Sequence, residues 1–158
     1  MSLLEFCQWI QFSPPLIALR SSPWFFPVIA TIHLMGLSVI GGAVLLVDLR
    51  LLGLGLRSQP VAQLARDAER WLFGGLAVMI VTGILLFMCF ATKYYYLTFF
   101  WVKIAALIAV VIFTVSVRRR VAMAEETGVN AGSSKAVALV SLSLWTTVAL
   151  GGRYIGFP

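Results

Sequence analysis

Charged residues are scarce in this chain, and acids are scarcer than bases. Only 11% of its 158 residues are charged, six are Asp or Glu, and one is histidine. Soluble domains carry about 25% charged residues, so this composition excludes an ordinary soluble domain. One histidine and two cysteines do not form a conventional metal site. The chain also lacks a Gly-rich phosphate loop, a paired-carboxylate site and a His-Glu-x-x-His motif, and no independent catalytic activity is expected.

Apolar residues make up 61% of the chain and gather in four long stretches. These run over Pro23–Leu46, Trp71–Ala91, Phe99–Val117 and Ala136–Phe157. A helix needs about 20 apolar residues to cross a bilayer, and within lipid only a helix or a closed barrel satisfies its backbone. We therefore predict a single-domain, all-α membrane protein with an antiparallel bundle of four transmembrane helices, at about 23–49, 70–92, 98–120 and 135–157.

The first 22 residues are predicted to remain outside the spans. Ser2–Phe12 is apolar but too short to cross, and Pro14-Pro15 is predicted to end it. A short helix lying in the outer interface fits this pattern. The segment has no basic region before its apolar run, so we do not expect a cleavable signal.

Basic residues concentrate in two of the three connections between the apolar stretches. These residues are Arg50, Arg57, Arg66 and Arg70 in the first connection, and Arg118, Arg119, Arg120 and Lys135 in the third. Short basic connections stay in the cytoplasm. Because the two connections lie on the same side of a four-helix bundle, we predict that both are inside and both termini are outside.

Aromatic residues gather on the opposite side, where they typically anchor a protein at the membrane interface. They include Trp9, Phe12, Trp24–Phe26, Tyr94–Tyr96, Phe99–Trp101, Tyr154 and Phe157. The net charge of +6 fits this topology and contact with anionic membrane lipids. No nucleic-acid partner is expected.

Small residues four apart are typical of contacts between transmembrane helices. Three pairs of this kind are predicted to pack the bundle: Ser38 and Gly42, Ala105 and Ala109, and Thr147 and Gly151. Cys7 and Cys89 are candidates for a disulfide because both lie near the outer side, although two small apolar residues are the favoured interpretation.

The only histidine, His33, lies within the first predicted helix, roughly 13 Å below the outer surface at about 1.5 Å per residue. The same rise places Thr82 near its level. Lys103 and Arg153 lie about one turn inside the third and fourth helices. Since ionisable groups in a span are costly and mark sites, we predict an outer pocket of these four residues, with Met79 as a further candidate.

Such a pocket suits an amphiphile with an apolar body and acidic groups at its rim. Haem b fits, with His33 binding the iron, Lys103 or Arg153 near the propionates, and Met79 or Met88 as a second ligand. A quinone or a bound lipid uses the same features. Simpler interpretations remain open: His33 bonded to a neighbouring helix, cations reaching toward the interface, and methionines filling the core.

Asp48 is the only acid within the predicted spans, at the inner end of the first helix. We predict an interfacial salt bridge with Arg50, Arg118 or Arg119. A proton relay needs further acids inside the membrane, so the sequence does not favour a proton-coupled pump.

Several motifs resemble a family of small bacterial four-helix membrane proteins of unknown function. They are Ser22-Pro23-Trp24-Phe25-Phe26-Pro27, Thr31–Leu37 around His33, Val47–Gly53 around Asp48, Thr82–Phe87, Lys103, Ser143-Leu144-Trp145 and Gly152-Arg153. The resemblance implies a multi-pass protein of the bacterial inner membrane. It also implies a second histidine late in the third helix, where this chain has Phe113-Thr114-Val115.

These observations lead to a first functional hypothesis and two alternatives. The hypothesis is a non-catalytic, redox-linked accessory component that works with other membrane subunits or as a homo-oligomer. The first alternative is a haem-binding electron carrier that uses His33. The second is a small transporter or channel-like protein.

Overall fold

The fold is a bundle of long antiparallel helices. The computed structural model describes residues 2–55, 59–124 and 131–155. Within these ranges the helices are α1 (Leu3–Gln11), α2 (Pro14–Ser21), α3 (Phe25–Leu51), α4 (Val61–Cys89), α5 (Ala91–Tyr96), α6 (Thr98–Phe113), α7 (Arg119–Ala124) and α8 (Ala131–Ile155). A π-helical segment, Thr114–Arg118, joins α6 to α7.

Four helical segments are long and apolar enough to cross a membrane. They are Phe25–Leu51, Val61–Cys89, Thr98–Ala124 and Gly132–Tyr154. The described residues contain no strand. The predicted all-α fold of four membrane-spanning helices is confirmed, and the chain is a multi-pass membrane protein. Arg57 and the end of the fourth predicted helix, residues 156–157, lie outside the described residues.

The two ends of the bundle differ in composition. α1, α2 and α5 lie at the end of the bundle where α3 and α6 begin. We call this the aromatic end, because many of the aromatic residues lie there. We call the opposite end the arginine end, because Arg50, Arg66, Arg70 and Arg118–Arg120 lie toward it. Between the ends, α3 packs against α4 and α8, and α6 packs against α8.

Glycine backbones bring α3 and α4 close together. A Cβ added at Gly75 would lie 2.9 Å from Ile40 Cγ1 and 3.1 Å from the Gly36 carbonyl oxygen. Only glycine fits such an approach, which is the usual basis of close helix packing in membranes. The crossing of α3 and α4 therefore depends on Gly36 and Gly75.

Two of the three predicted small-residue pairs do not form helix contacts. Ser38, Gly42, Ala105 and Ala109 are exposed, and a Cβ at Gly42 would meet nothing within 4 Å. In the third pair Thr147 is exposed and Gly151 is buried. Small residues four apart can bring helices together, but the spacing alone does not show which face of a helix meets a neighbour.

The N-terminal segment folds onto the aromatic end. The predicted short helix is present as α1 and ends before Pro14-Pro15, as expected. Pro14 also begins a second short helix, α2, because proline is tolerated in the first turn of a helix. Gln11 Oε1 accepts a hydrogen bond from the Thr92 amide at 2.8 Å. Arg20 Nη1 donates to the Cys89 carbonyl at 3.3 Å, so α1 and α2 are fixed to the end of α4 and to α5.

The two cysteines are separate free thiols, and both are buried. The disulfide considered from the sequence is therefore absent. Cys7 lies on α1 and Cys89 ends α4. Both behave as small apolar residues, as free cysteines commonly do.

An apolar layer crosses the middle of the bundle. Ile40, Val110 and Val148 are at most 1% exposed and belong to one buried cluster. Gly75 of α4 lies against Ile40. Each of these residues comes from a different long helix, and all three lie between the aromatic end and the arginine end.

The π-helical segment keeps one stripe of the third span facing inward. Val110, Thr114, Arg118 and Ala122 are all buried and recur every fourth residue. In a regular α-helix, a spacing of four drifts by about 40° per step. The wider π turn offsets part of that drift, so Arg118 stays on the inward stripe.

Asp48 pairs with Arg118 inside the bundle, and the position of this pair relative to the membrane interface stays a prediction. Arg118 Nε donates to Asp48 Oδ1 at 2.7 Å, and Arg118 Nη2 donates to the Val44 carbonyl at 3.3 Å. Asp48 is fully buried. Of the three predicted partners the structure selects Arg118, while Arg119 pairs with Glu69 at 3.0 Å.

Candidate functional site

A cleft of about 520 Å³ opens between α4 and α6 toward the aromatic end. Its size is within the usual range of about 300–1,000 Å³ for small-molecule sites. Its walls are apolar apart from a few polar groups. The residues that line it are Phe26, Ala30, His33 and Leu34 of α3; Leu76, Met79, Ile80, Gly83, Ile84, Leu86 and Phe87 of α4; Tyr94; Phe100, Lys103, Ile104 and Leu107 of α6; and Gly152 of α8.

His33 is oriented by a hydroxyl of the neighbouring helix. Its Nδ1 lies 2.8 Å from Thr82 Oγ1, and that hydroxyl donates to the Val78 carbonyl at 2.6 Å. When that hydroxyl donates to the Val78 carbonyl, Thr82 accepts from His33 and the imidazole proton is on Nδ1. The other nitrogen, Nε2, is left with a lone pair and no hydrogen-bond partner among the described residues.

Gly83 makes room for this imidazole. A Cβ at Gly83 would lie 3.3 Å from His33 Cε1, a distance tighter than most side chains tolerate. Gly83 follows Thr82 directly. Thr82 orients the imidazole through its hydroxyl, and Gly83 leaves space for the ring because it has no side chain.

Lys103 crosses from α6 onto the backbone of α8. A Cβ at Gly151 would lie 3.3 Å from Lys103 Cβ, and one at Gly152 would lie 3.4 Å from Nζ. The side chain is half-buried, and its ammonium has no hydrogen-bond or ion-pair partner within residues 2–55, 59–124 and 131–155. A partly buried charge without a partner is costly, which makes Lys103 a candidate site residue.

Three aromatic rings close the cleft at the aromatic end. The ring centroids of Phe87 and Phe100 are 5.2 Å apart, and those of Tyr94 and Phe100 are 5.6 Å apart at an interplanar angle of 9°. Such spacings are typical of stacked aromatic pairs. Burial, and to a lesser extent Cys89, raises the pKa of the Tyr94 phenol, so its hydroxyl is neutral at physiological pH.

The structure brings together four of the five predicted site residues. His33, Thr82, Met79 and Lys103 lie at or line one cleft. Arg153 is exposed and does not line it. The neighbouring Gly152 does, because adjacent helix residues point about 100° apart.

Met79 is on the same wall as His33. A Cβ at Gly36 would lie 3.1 Å from Met79 Cγ, and Gly36 is one turn beyond His33 on α3. A second iron ligand opposite His33 would come from the far wall, so this placement does not favour Met79 in that role. Met88 does not line the cleft.

The sequence prediction missed the apolar walls and the glycines of the site. Gly83 and Phe87 lie in the Thr82–Phe87 motif and Phe100 lies among the aromatic residues of the outer side, but neither pattern indicates that these residues line a cleft. The run Thr82-Gly83 beside a lone histidine at equal depth was the available clue.

The four spans and the cleft lie in the part of the chain that one family model matches. The model of the family of unknown function DUF6644 matches residues 25–158. The chain belongs to this family. Comparisons with curated proteins and with solved structures found no match. All residues that line the cleft lie within the part that matches DUF6644, whereas α1 and α2 precede it.

Proposed function

We propose that the protein is a non-catalytic, ligand-binding component of a bacterial membrane assembly. Its cleft binds an amphiphile whose apolar body lies between α4 and α6 and whose oxygen-bearing head reaches Lys103. The observation that carries this proposal is the half-buried Lys103 side chain, whose ammonium lacks a partner among the described residues. An oxygen acceptor on the ligand would offset the cost of partly burying that charge.

The walls of the cleft support an apolar body. Leu34, Ile80 and Ile84 line it and are also exposed on the outer surface of the helices. In a membrane this surface meets lipid chains. A tail attached to the head group therefore has a direct route out of the cleft into the bilayer, without crossing a polar surface.

Haem is a second candidate, favoured by the orientation of His33. Histidines that bind a metal commonly donate their other ring N–H to a fixed partner, and the bond from Nδ1 to Thr82 has this arrangement. Nε2 would be the iron ligand, and Lys103 lies near enough to the ring to interact with it electrostatically. Bound haem would make the protein an electron carrier, a chemistry that belongs to the haem iron.

The test compares two lysine substitutions in the purified protein. The variants Lys103→Met and Lys93→Met remove one ammonium each, but Lys93 is exposed on α5 and does not line the cleft. Protein in mild detergent is extracted with solvent, and co-purifying amphiphiles are quantified by mass spectrometry. We expect Lys103→Met to lose about tenfold in occupancy, the effect of one charge-assisted hydrogen bond, while Lys93→Met retains the ligand.

An equal occupancy in both variants and the unmodified protein would overturn the assignment of Lys103. The absorption spectrum of the same preparations decides between the candidates. A Soret band that disappears in His33→Ala would establish haem. A colourless protein with an extractable amphiphile would favour the first proposal.

We further propose that the arginine end faces the cytoplasm and that both termini lie outside. The distribution of arginines supports this orientation. Gln59 is exposed at the arginine end, and the native cysteines are buried. A Gln59→Cys variant should react with a membrane-impermeant thiol reagent only after the inner side is opened; labelling in intact cells would reverse the orientation.

The assembly itself is proposed to contain other membrane subunits or a second copy of this chain. Support comes from small side chains on the outer faces of α3 and α6, namely the exposed Ser38, Gly42, Ala105 and Ala109, which allow close approach of another helix. Native mass spectrometry from membranes tests this: a stable monomer without partners would contradict it.

A further inference from the structure

We infer that the head group in the cleft is a hydroquinone, the reduced form of a lipid-soluble quinone, and that the site binds this form more tightly than the oxidised quinone. This inference rests on the proposed ligand-binding function of the cleft. It follows from the hydrogen-bonding character of the two basic side chains that line the cleft, His33 and Lys103. Tyr94 also lines the cleft, but its hydroxyl can donate or accept and therefore sets no requirement on the ligand.

The two polar groups have opposite hydrogen-bonding characters. Lys103 presents an ammonium, which only donates. His33 presents Nε2, which only accepts, since its proton is on Nδ1 and bonded toward Thr82 at 2.8 Å. A ligand that satisfies both groups must bring one acceptor oxygen and one O–H or N–H donor on the same head.

Several amphiphiles fail this requirement. A fatty-acid carboxylate carries acceptors only at neutral pH, so one of its oxygens would face the lone pair of His33 Nε2. Phospholipid head groups that carry an ammonium or a hydroxyl can donate, but they have no flat ring to place against the aromatic boundary of the cleft. An oxidised quinone also carries acceptors only. A hydroquinone carries hydroxyl groups on both sides of its ring, so one hydroxyl donates to His33 while the oxygen of the other accepts from Lys103.

The shape of the cleft supports a flat ring with an apolar tail. The near-parallel rings of Phe87, Tyr94 and Phe100 form one boundary, against which an aromatic head can stack. Gly83 and Gly152 carry no side chain at the two polar groups. The exposed Ile80 and Ile84 mark the route by which an isoprenoid tail reaches lipid.

The difference between the two forms is expected to be about tenfold in Kd, the effect of one hydrogen bond replaced by an unsatisfied buried acceptor. The inference concerns binding only, and it includes no electron transfer by the protein. Preferential binding of the reduced form would hold hydroquinone at the membrane face where the aromatic end lies.

Because the chain has a single histidine, its protonation and its contact with a ligand can be followed by NMR without overlap from other imidazoles. Protein labelled with ¹⁵N-histidine gives one imidazole in an NMR spectrum, and its two nitrogen shifts report the tautomer. In lipid nanodiscs, a short-chain hydroquinone and the corresponding quinone are titrated separately under anaerobic conditions. We expect the Nδ1–H tautomer without ligand, a shift of Nε2 on adding hydroquinone, and about tenfold weaker binding of the quinone.

Two threonine variants provide the matched control. Thr82→Val removes the hydroxyl that fixes the proton on Nδ1, so the preference for the reduced form should fall toward equality. Thr147→Val removes an exposed hydroxyl that bonds only to Ser143 of its own helix, and it should leave the preference intact. An Nε2–H tautomer in the unmodified protein, or equal affinity for the two forms, would overturn the inference.

Failure of the inference differs from failure of the proposed function. If neither form binds but an anionic amphiphile remains bound through Lys103, the cleft is a ligand site and its ligand is not a hydroquinone. If neither form binds and no amphiphile depends on Lys103, the proposed function fails as well.

Discussion

The crossing of α3 and α4 provides a quantitative test of the fold. Gly75→Ala adds one methyl where the nearest atoms are Ile40 Cγ1 at 2.9 Å and the Gly36 carbonyl oxygen at 3.1 Å. The oxygen belongs to the backbone, so it cannot move without moving α3. Gly74→Ala, one residue earlier, adds the same methyl where nothing lies within 4 Å.

The two variants share the intrinsic preference of alanine for helices, which favours each by about 1 kcal/mol. Gly75→Ala also has the cost of overpacking, about 1–3 kcal/mol. We therefore expect Gly75→Ala to lower the free energy of unfolding by about 0–2 kcal/mol and Gly74→Ala to raise it by up to about 1 kcal/mol, so that the two variants differ by about 1–3 kcal/mol.

The assay is reversible unfolding in detergent micelles by a chemical denaturant, followed by circular dichroism. The informative quantity is the difference in free energy of unfolding between the two variants, because the helix preference of alanine contributes equally to both. Equal stabilities for Gly75→Ala and Gly74→Ala would refute the close crossing, and with it the position of His33 relative to Thr82.

Two further predictions concern polar groups. Arg118→Leu leaves the fully buried Asp48 without its partner and should lower the free energy of unfolding by about 3–5 kcal/mol; adding Asp48→Asn should restore part of it, and an equal loss in the exposed Arg120→Leu would contradict the buried pair. Burial raises the pKa of Tyr94, so the unfolded phenol ionises first as pH rises past about 10, and stability should fall there. Tyr94→Phe should reduce that fall, and identical pH profiles for the two proteins would contradict the burial of the phenol.

The spans were predictable because length and hydropathy alone determine them. Their ends were less so. The second span was expected at 70–92, whereas α4 ends at Cys89. The sequence of residues 60–71 predicts a helix that runs into this span, and α4 does begin at Val61.

The depth of the site was predictable, and its direction was not. Counting residues placed His33 and Thr82 at one level, and they form a hydrogen bond. The same counting placed Arg153 correctly along α8 but could not show that Gly152 faces the cleft instead. Rotation about a helix axis is set by packing against neighbours.

The π-helical segment had no sequence signal at all. Thr114–Arg118 contains neither glycine nor proline. The segment allows Arg118 to pair with Asp48 while Val110, eight residues earlier, also packs inward. Both requirements arise from contacts between helices, so they cannot be seen in the sequence of one helix.

The apolar layer at Ile40, Val110 and Val148 has a consequence for any membrane that carries a voltage. His33 and Asp48 are fifteen residues apart on α3, roughly 22 Å at about 1.5 Å per residue, and the layer lies between them. A proton or ion driven by the electric field would have to leave one polar region and pass closely packed aliphatic side chains, where a charge is strongly disfavoured. A charge moving along the interior of the bundle would therefore meet its least favourable surroundings at Ile40, Val110 and Val148, between the cleft and the buried pair of Asp48 and Arg118.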